Sequence, residues 1–288
     1  MTEQIDMLMG RADFVPFSFG KDHCECVAWG PDGYIYAGGE AGQIYRVNLE
    51  DGASEIIATL GGVDALGICL DRDANLYACS ENGHCVYRVT QTGGVSVYSK
   101  GSTDRPMKIP NYPAFDSQGN LYVSDSSDWD GANGCIYRIA PGGDTRVVTE
   151  SNLRFPNGLA LGPDGSELFF IESNMPGVSK TRILPDGRLG APQPVVEMPR
   201  ITPDGLAFDV KHNLYISCYV PHRIYHLAPG GRLEILFDDW QGTLLNAPTN
   251  TAFAGSELRT MVIGNIGGTW LTKAQMPHAG MPLHYPAL

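Results

Sequence analysis

Two carboxylates and three amides recur at one position of a repeated phrase, and their chemistry is that of a hard-cation site. Glu25, Asn111, Asn157, Asp204 and Asn250 each open an apolar run that leads into a Gly-, Asp- or Asn-rich turn and then a second apolar run. Leu66 holds that place in the second of the six copies, and the copies follow one another at intervals of 41 to 47 residues. Oxygen donors without His or Cys suit a divalent cation of the calcium or magnesium kind better than a thiolate zinc site. Two carboxylates would balance the charge, and the amides would fill the coordination. Calcium is the expected ion, with magnesium, manganese and zinc as alternatives. Asn or Asp before Gly is also an ordinary turn former, which applies to Asn157 and Asp204 taken singly. Glu25 precedes Cys26 and has no such reading.

For oxygens so far apart in the chain to meet, the repeats must be set around an axis. Each copy reads as a tight β-hairpin, and strand-rich repeats of this length point to a β-propeller with one blade per repeat. In the first repeat, alternation predicts strands at 26–30, 34–38, 43–47 and 54–58. The third-strand phrase returns at 85–89, 135–139 and 223–227. The sixth repeat has only a weak third strand near Trp270. An open ring would leave exposed edges, so the strand-like residues 13–17 are expected to complete the last blade. The fold class is therefore all-β: a six-bladed propeller with four antiparallel strands per blade, forming one domain over residues 1–288.

That geometry puts the repeated oxygens at one mouth of the central channel. The loop between second and third strands returns to the same mouth. In the third repeat this loop is long, running from 126 to 134, and it carries Trp129 as a candidate lid. Tyr219, His222 and Met175 would line the same rim. His23, two residues before Glu25, and Lys108, in the loop before Asn111, are placed to meet a substrate. Leu66 leaves one side of the oxygen ring apolar.

Bulk composition narrows the partners. The chain has 288 residues and a formal net charge of −12, which disfavours nucleic acid and anionic membranes and mildly favours cations. No apolar run reaches 18 residues, and the first residues lack the basic-then-apolar pattern of a signal peptide. The seven cysteines are odd in number and fall largely within strand patterns. They read as reduced core thiols in a cytoplasmic protein. Cys24-Glu25-Cys26 is not a zinc pair. Asp128-Trp129-Asp130-Gly131 faintly resembles a calcium loop but lacks the closing Glu, and it reads as an acidic lid segment. No nucleophile elbow, HExxH or P-loop is present. The expected partner is a small-molecule substrate; oligomeric state is not readable.

The phrases Phe155-Pro156-Asn157-Gly158-Leu159-Ala160, Pro203-Asp204-Gly205-Leu206-Ala207-Phe208-Asp209 and Thr249-Asn250-Thr251-Ala252-Phe253 resemble the senescence marker protein (regucalcin)/gluconolactonase family. The resemblance covers nearly the whole chain. It implies a six-bladed propeller with a divalent metal in the channel and activity on lactones or, in some members, organophosphates. It implies that Glu25, Asn157 and Asp204 are direct metal ligands, that Asn111 lies beside the metal against water or substrate, and that Asn250 belongs to the surrounding shell. Two departures stand out. The family's usual Glu-Gly-Pro is here Glu25-Cys26-Val27. Ile109 stands where sugar-lactone members often carry Arg, which argues for a less polar substrate.

Hydrolysis of a cyclic ester is the leading expectation. A bound cation would polarise the carbonyl and activate water, with Asp204 both ligating and taking the proton. Asn111 and Lys108 would position the carbonyl or ring. The alternatives are another ester or an organophosphate as substrate, a lyase or isomerase reaction on the same metal, and a propeller that binds a ligand or protein without catalysis.

Overall fold

The hairpin turns show why each repeat folds as it does. Asp71, Asp116 and Asp209 each accept hydrogen bonds from backbone amides two and four residues on. Each also takes the side-chain amide of the Asn four residues on, Asn75, Asn120 and Asn213 at 2.8 Å. The carboxylate thereby satisfies the turn's own donors. Blades 1 and 4 use Pro-Asp-Gly instead, with Gly33 at φ 84° and Gly165 at φ 71°. A side chain rarely adopts that left-handed region.

These hairpins build six four-stranded antiparallel sheets, each pairing in simple inner-to-outer order. A computed structural model describes residues 5–149 and 152–288. The inner strands are Cys26–Trp29, Ile68–Leu70, Pro110–Phe115, Pro156–Leu161, Thr202–Phe208 and Pro248–Ala254. The expected closure is present: Phe14–Phe17 forms the outer strand of blade 6, pairing antiparallel with Leu271–Gln275 from Phe14↔Ala274 to Phe17↔Leu271. Six apolar clusters hold the ring, and each sits between two neighbouring blades, as where Tyr36 and Ile44 of blade 1 meet Leu70 and Leu76 of blade 2. The core is thus wedge-shaped layers between sheets, so closure of the ring is itself the burial of apolar surface.

Around the axis the inner strands touch one another directly. A Cβ on Gly67 would lie 2.5 Å from the Asn111 carbonyl oxygen and 2.7 Å from the Tyr112 Cα. Both neighbours are backbone of the next blade and cannot yield. Gly67→Ala is expected to destabilise the protein by about 1–3 kcal/mol, the cost of overpacking a tight site. Urea denaturation of the two proteins checks this, and an unchanged midpoint would contradict it.

The last residues were not anticipated. Residues 276–288 run across the face opposite the oxygen ring. Met281 N donates to Phe208 O (2.8 Å) and Arg72 N to Pro286 O (2.8 Å), while Tyr285 Oη donates to Trp29 O (2.5 Å). The tail thus straps blades 5, 1 and 2 together. Among the described residues, no helix is long and apolar enough to cross a membrane.

Candidate metal centre in the channel

The site begins with how the inner strands start. In blades 3 and 4 the strand opens with Pro110 and Pro156, and in blade 5 Pro203 follows the opening Thr202; a bulge comes directly after each Pro, shifting the register before Pro113, Leu159 and Leu206. Pro cannot donate to the sheet, which suits a strand's first position, and a bulge re-aims the side chain it carries. The bulge residues are Asn111, Asn157 and Asp204. Glu25 immediately precedes the inner strand of blade 1.

A chain of hydrogen bonds locks these positions to their neighbours through backbone carbonyls. Ser124 Oγ donates to Asn157 O (2.7 Å), Ser173 Oγ to Pro203 O (2.7 Å), Ser217 Oγ to Thr249 O (2.9 Å) and Thr249 Oγ1 to Glu25 O (2.5 Å). Gly67 N donates to Asn111 O at 2.8 Å. The ring that carries the oxygens is stitched from blade to blade.

Three oxygen-bearing groups in the ring lack partners. The carboxylates of Glu25 and Asp204 accept no hydrogen bond from any described residue. Asp204 is buried, and Glu25 is partly buried. Burial pushes the Asp204 carboxyl up to about 8. Burial likewise holds Glu25 well above the usual carboxylate range, reinforced by the charges of Asp204, Asp64, Glu81 and Glu40. Two carboxyls this close titrate as a pair. The third group is Asn157. Its Nδ2 donates to Ser173 Oγ (3.3 Å), and the serine's own proton goes to Pro203 O, so the amide orientation follows and Oδ1 is left buried with no partner. Ser173→Ala frees that amide and is expected to weaken divalent-cation binding about tenfold, the usual scale for a residue that orients a ligand. Calorimetric titration checks it; unchanged affinity would contradict it.

Two buried acids and an orphaned amide oxygen form a donor set that fits a hard divalent cation. No cluster of three or more His, Cys, Asp or Glu occurs among the described residues, so a metal here depends on the amide. Asn111 is buried beside this set with no hydrogen bond on its side chain from a described residue, which leaves its amide to face the channel contents.

Asn250 behaves differently. In the last blade the bulge falls between Pro248 and Asn250, and Thr249 takes the place that Asp204 holds in blade 5. A Cβ on Gly158 would press on Asp204 O, and one on Gly205 would press on Thr249 O. The alignment by turns is therefore one residue out in the sixth repeat. Asn250 Oδ1 accepts from Val27 N (3.2 Å), and Nδ2 donates to Tyr112 Oη (2.8 Å). Tyr112 reaches across the channel from blade 3 to the opposite blade. It forms a bar beneath the oxygen ring.

The rim residues are spread around the mouth. Trp129, 45% exposed, leans edge-on against Phe155 at 4.7 Å between ring centroids and accepts a hydrogen bond from Asn174 on its carbonyl. The long loop thus lies over blade 4, next to Asn157. Lys108 is exposed and ion-paired with Asp128 of that loop. Ile109 is held by its backbone to Asp125 Oδ1 at 3.2 Å. His23 Nδ1 lies 2.7 Å from Ile266 O, and it shares a recess that spans blades 5, 6 and 1 with Tyr219, His222 and Glu40. All seven cysteines are free, and six are buried. Tyr112, Ser173 and Thr249 were missed from the sequence. Tyr112 had a signal: it is the only large residue at a place held elsewhere by Cys26, Gly67, Gly158, Gly205 and Asn250.

The closed six-bladed propeller is a fold shared by many chains. Within it the protein belongs to the SMP-30/gluconolactonase/LRE-like family: the sequence profile described as "SMP-30/Gluconolactonase/LRE-like region" matches residues 25–266. It is 24% identical to lactonase drp35 of Staphylococcus saprophyticus subsp. saprophyticus, over 80% of this chain and 75% of that one. Its fold is similar to a gluconolactonase from Xanthomonas campestris, with a TM-score of 0.79 at 17% identity over 96% of both chains. It is also similar to a calcium-binding regucalcin from Agrobacterium tumefaciens, with a TM-score of 0.75 at 14% identity over 95% of both chains.

Proposed function

We propose that this chain is a divalent-metal-dependent hydrolase that opens a lactone less polar than a sugar lactone. The observation that carries the reading is the partnerless trio of Glu25, Asp204 and Asn157 Oδ1 at one channel mouth. These three would hold the cation, calcium being the first candidate. When bound, a divalent ion supplies Lewis-acid polarisation of a carbonyl and lowers the pKa of water. The lactonase and gluconolactonase names among the similar proteins support the substrate class.

The chain's own residues supply the rest. Asn111 offers an uncommitted amide to hold the ester oxygen in place. Asp204, with two oxygens and no internal partner, has one to spare for taking the proton from the attacking water. Trp129 and Phe155 form an aromatic wall beside the site, and Ile109 offers no charge or donor, which together suit an alkyl or aryl lactone. Lys108 is ion-paired with Asp128 at the surface, a contact that competes with any phosphate ester for its charge. Ring opening turns a neutral ester into a carboxylate. Asp64, Glu81 and Glu40 around the mouth make its release favourable.

The test is a panel of alkyl-, aryl- and sugar-substituted lactones incubated with protein freed of metal by a chelator and then given calcium, magnesium or manganese. The expected result is calcium-restored turnover of the less polar lactones, with products heavier than substrate by one water. Turnover that survives chelation, or a product of unchanged mass, would overturn the reading.

A further inference from the structure

Beneath the bar formed by Tyr112 and Asn250, the channel opens into a second chamber of about 310 Å³. Its walls come from the far ends of all six inner strands, and residues 281–285 of the tail cover its outer side. One small residue from each blade lines it: Ala28, Cys69, Ala114, Ala160, Ala207 and Ala252. A ring of small side chains is what keeps the chamber wide. No Asp, Glu, Lys or Arg is among its described lining residues.

One wall group is out of keeping. The positions equivalent to Thr251 in the other blades are Val27, Ile68, Pro113, Leu159 and Leu206, all apolar. Thr251 is 3% exposed, it lines the chamber, and its Oγ1 is buried without a hydrogen-bond partner. An unmade hydrogen bond at a buried hydroxyl is unfavourable; Ser256 and His284 also line the chamber, on the turn and the tail at its outer side, so among the inner-strand walls Thr251 marks where a ligand's polar atom would sit. We infer that this lower chamber is a second binding site, separate from the oxygen ring, for a small neutral, mainly apolar molecule with one hydroxyl-type group that pairs with Thr251. A dry apolar cavity of about 150 Å³ holds benzene, so this one would hold roughly ten non-hydrogen atoms. Its volume lies at the lower end of ligand cavities. Tyr285, held by its hydroxyl to Trp29 O, and the segment around it form the door.

The test uses 4-ethylphenol and ethylbenzene as probes on the full chain with calcium at saturation. Cys69 serves as the reporter, since it lines the chamber and is the one cysteine not fully buried. Expected results are calorimetric binding of 4-ethylphenol and at least tenfold protection of Cys69 from methyl methanethiosulfonate, read by mass spectrometry. Thr251→Val should weaken 4-ethylphenol at least fivefold and leave ethylbenzene unchanged. Ala160→Phe should remove binding of both while metal-dependent turnover persists. Should Ala160→Phe fail to fold, Cys69 protection and the Thr251→Val comparison still decide. The inference is overturned if neither probe binds at millimolar concentration, if Cys69 is unprotected, if Thr251→Val weakens both probes alike or neither, or if a folded Ala160→Phe still binds.

Discussion

Asp204→Asn is expected to lower metal-dependent turnover by about a thousandfold or more and, in cation-free protein at pH 8, to raise the unfolding temperature by a few degrees. The first effect follows from losing a ligand and the proposed base together, which removes several kcal/mol of transition-state stabilisation at about 1.4 kcal/mol per tenfold. The second follows from burial. Asp204 and Glu25 lie close together, buried and without hydrogen-bond donors, and each penalises ionisation of the other. An amide of the same shape has no charge to desolvate. Burying an ion without a partner costs several kcal/mol, and the amide avoids that penalty. Calcium should then raise the melting temperature of the wild type and leave the variant unmoved. Retained turnover, or a large fall in the cation-free melting temperature, would show that the carboxylate is structural.

The opposite signs expected for activity and stability explain which parts of this protein were legible in its sequence. Turn chemistry is local: Asp71 with Asn75, or Asp209 with Asn213, announces a hairpin within five residues. Three such turns and two Pro-Asp-Gly turns at near-even spacing leave few topologies, and the unpaired strand at Phe14–Phe17 had only one edge to complete. Glu25 stood out because it breaks local rules without local reward. What local pattern could not carry was the register of the sixth repeat. Its turn, from Ala254 to Leu258, lacks the Asp-to-Asn pairing, so alignment on the turn slid by one and gave Asn250 the place of Thr249. The role of Asn250 is set by Val27 and Tyr112, which lie 223 and 138 residues away. The partnerless Oδ1 of Asn157 depends on a serine proton spent on the next blade. The tail has no period at all, and its place is fixed by the carbonyls it meets on blades 1 and 5 and the Arg72 amide it meets on blade 2.

The second large effect is on pH, and its sign reverses when a cation is added. In cation-free protein the folded chain holds protons on the Asp204–Glu25 pair up to about pH 8, whereas an unfolded Asp releases its proton near pH 4. Between those values the folded state binds more protons than the unfolded one. Stability therefore falls as pH rises through this window, and it is greatest below the unfolded pKa as far as this pair is concerned. A divalent ion needs the same oxygens ionised, so it competes with those protons. Calcium affinity should rise steeply from pH 5 to pH 8, with up to two protons released per ion bound. The melting temperature at saturating calcium should hold steady or rise over the range in which the cation-free value declines. Titration calorimetry in buffers of different ionisation enthalpy counts the protons. Release of none, or a calcium affinity flat with pH, would mean the carboxylates are already ionised and paired with something else. The shared-cation account of the channel mouth would then fail, because two ionised carboxylates there already have their counter-charge.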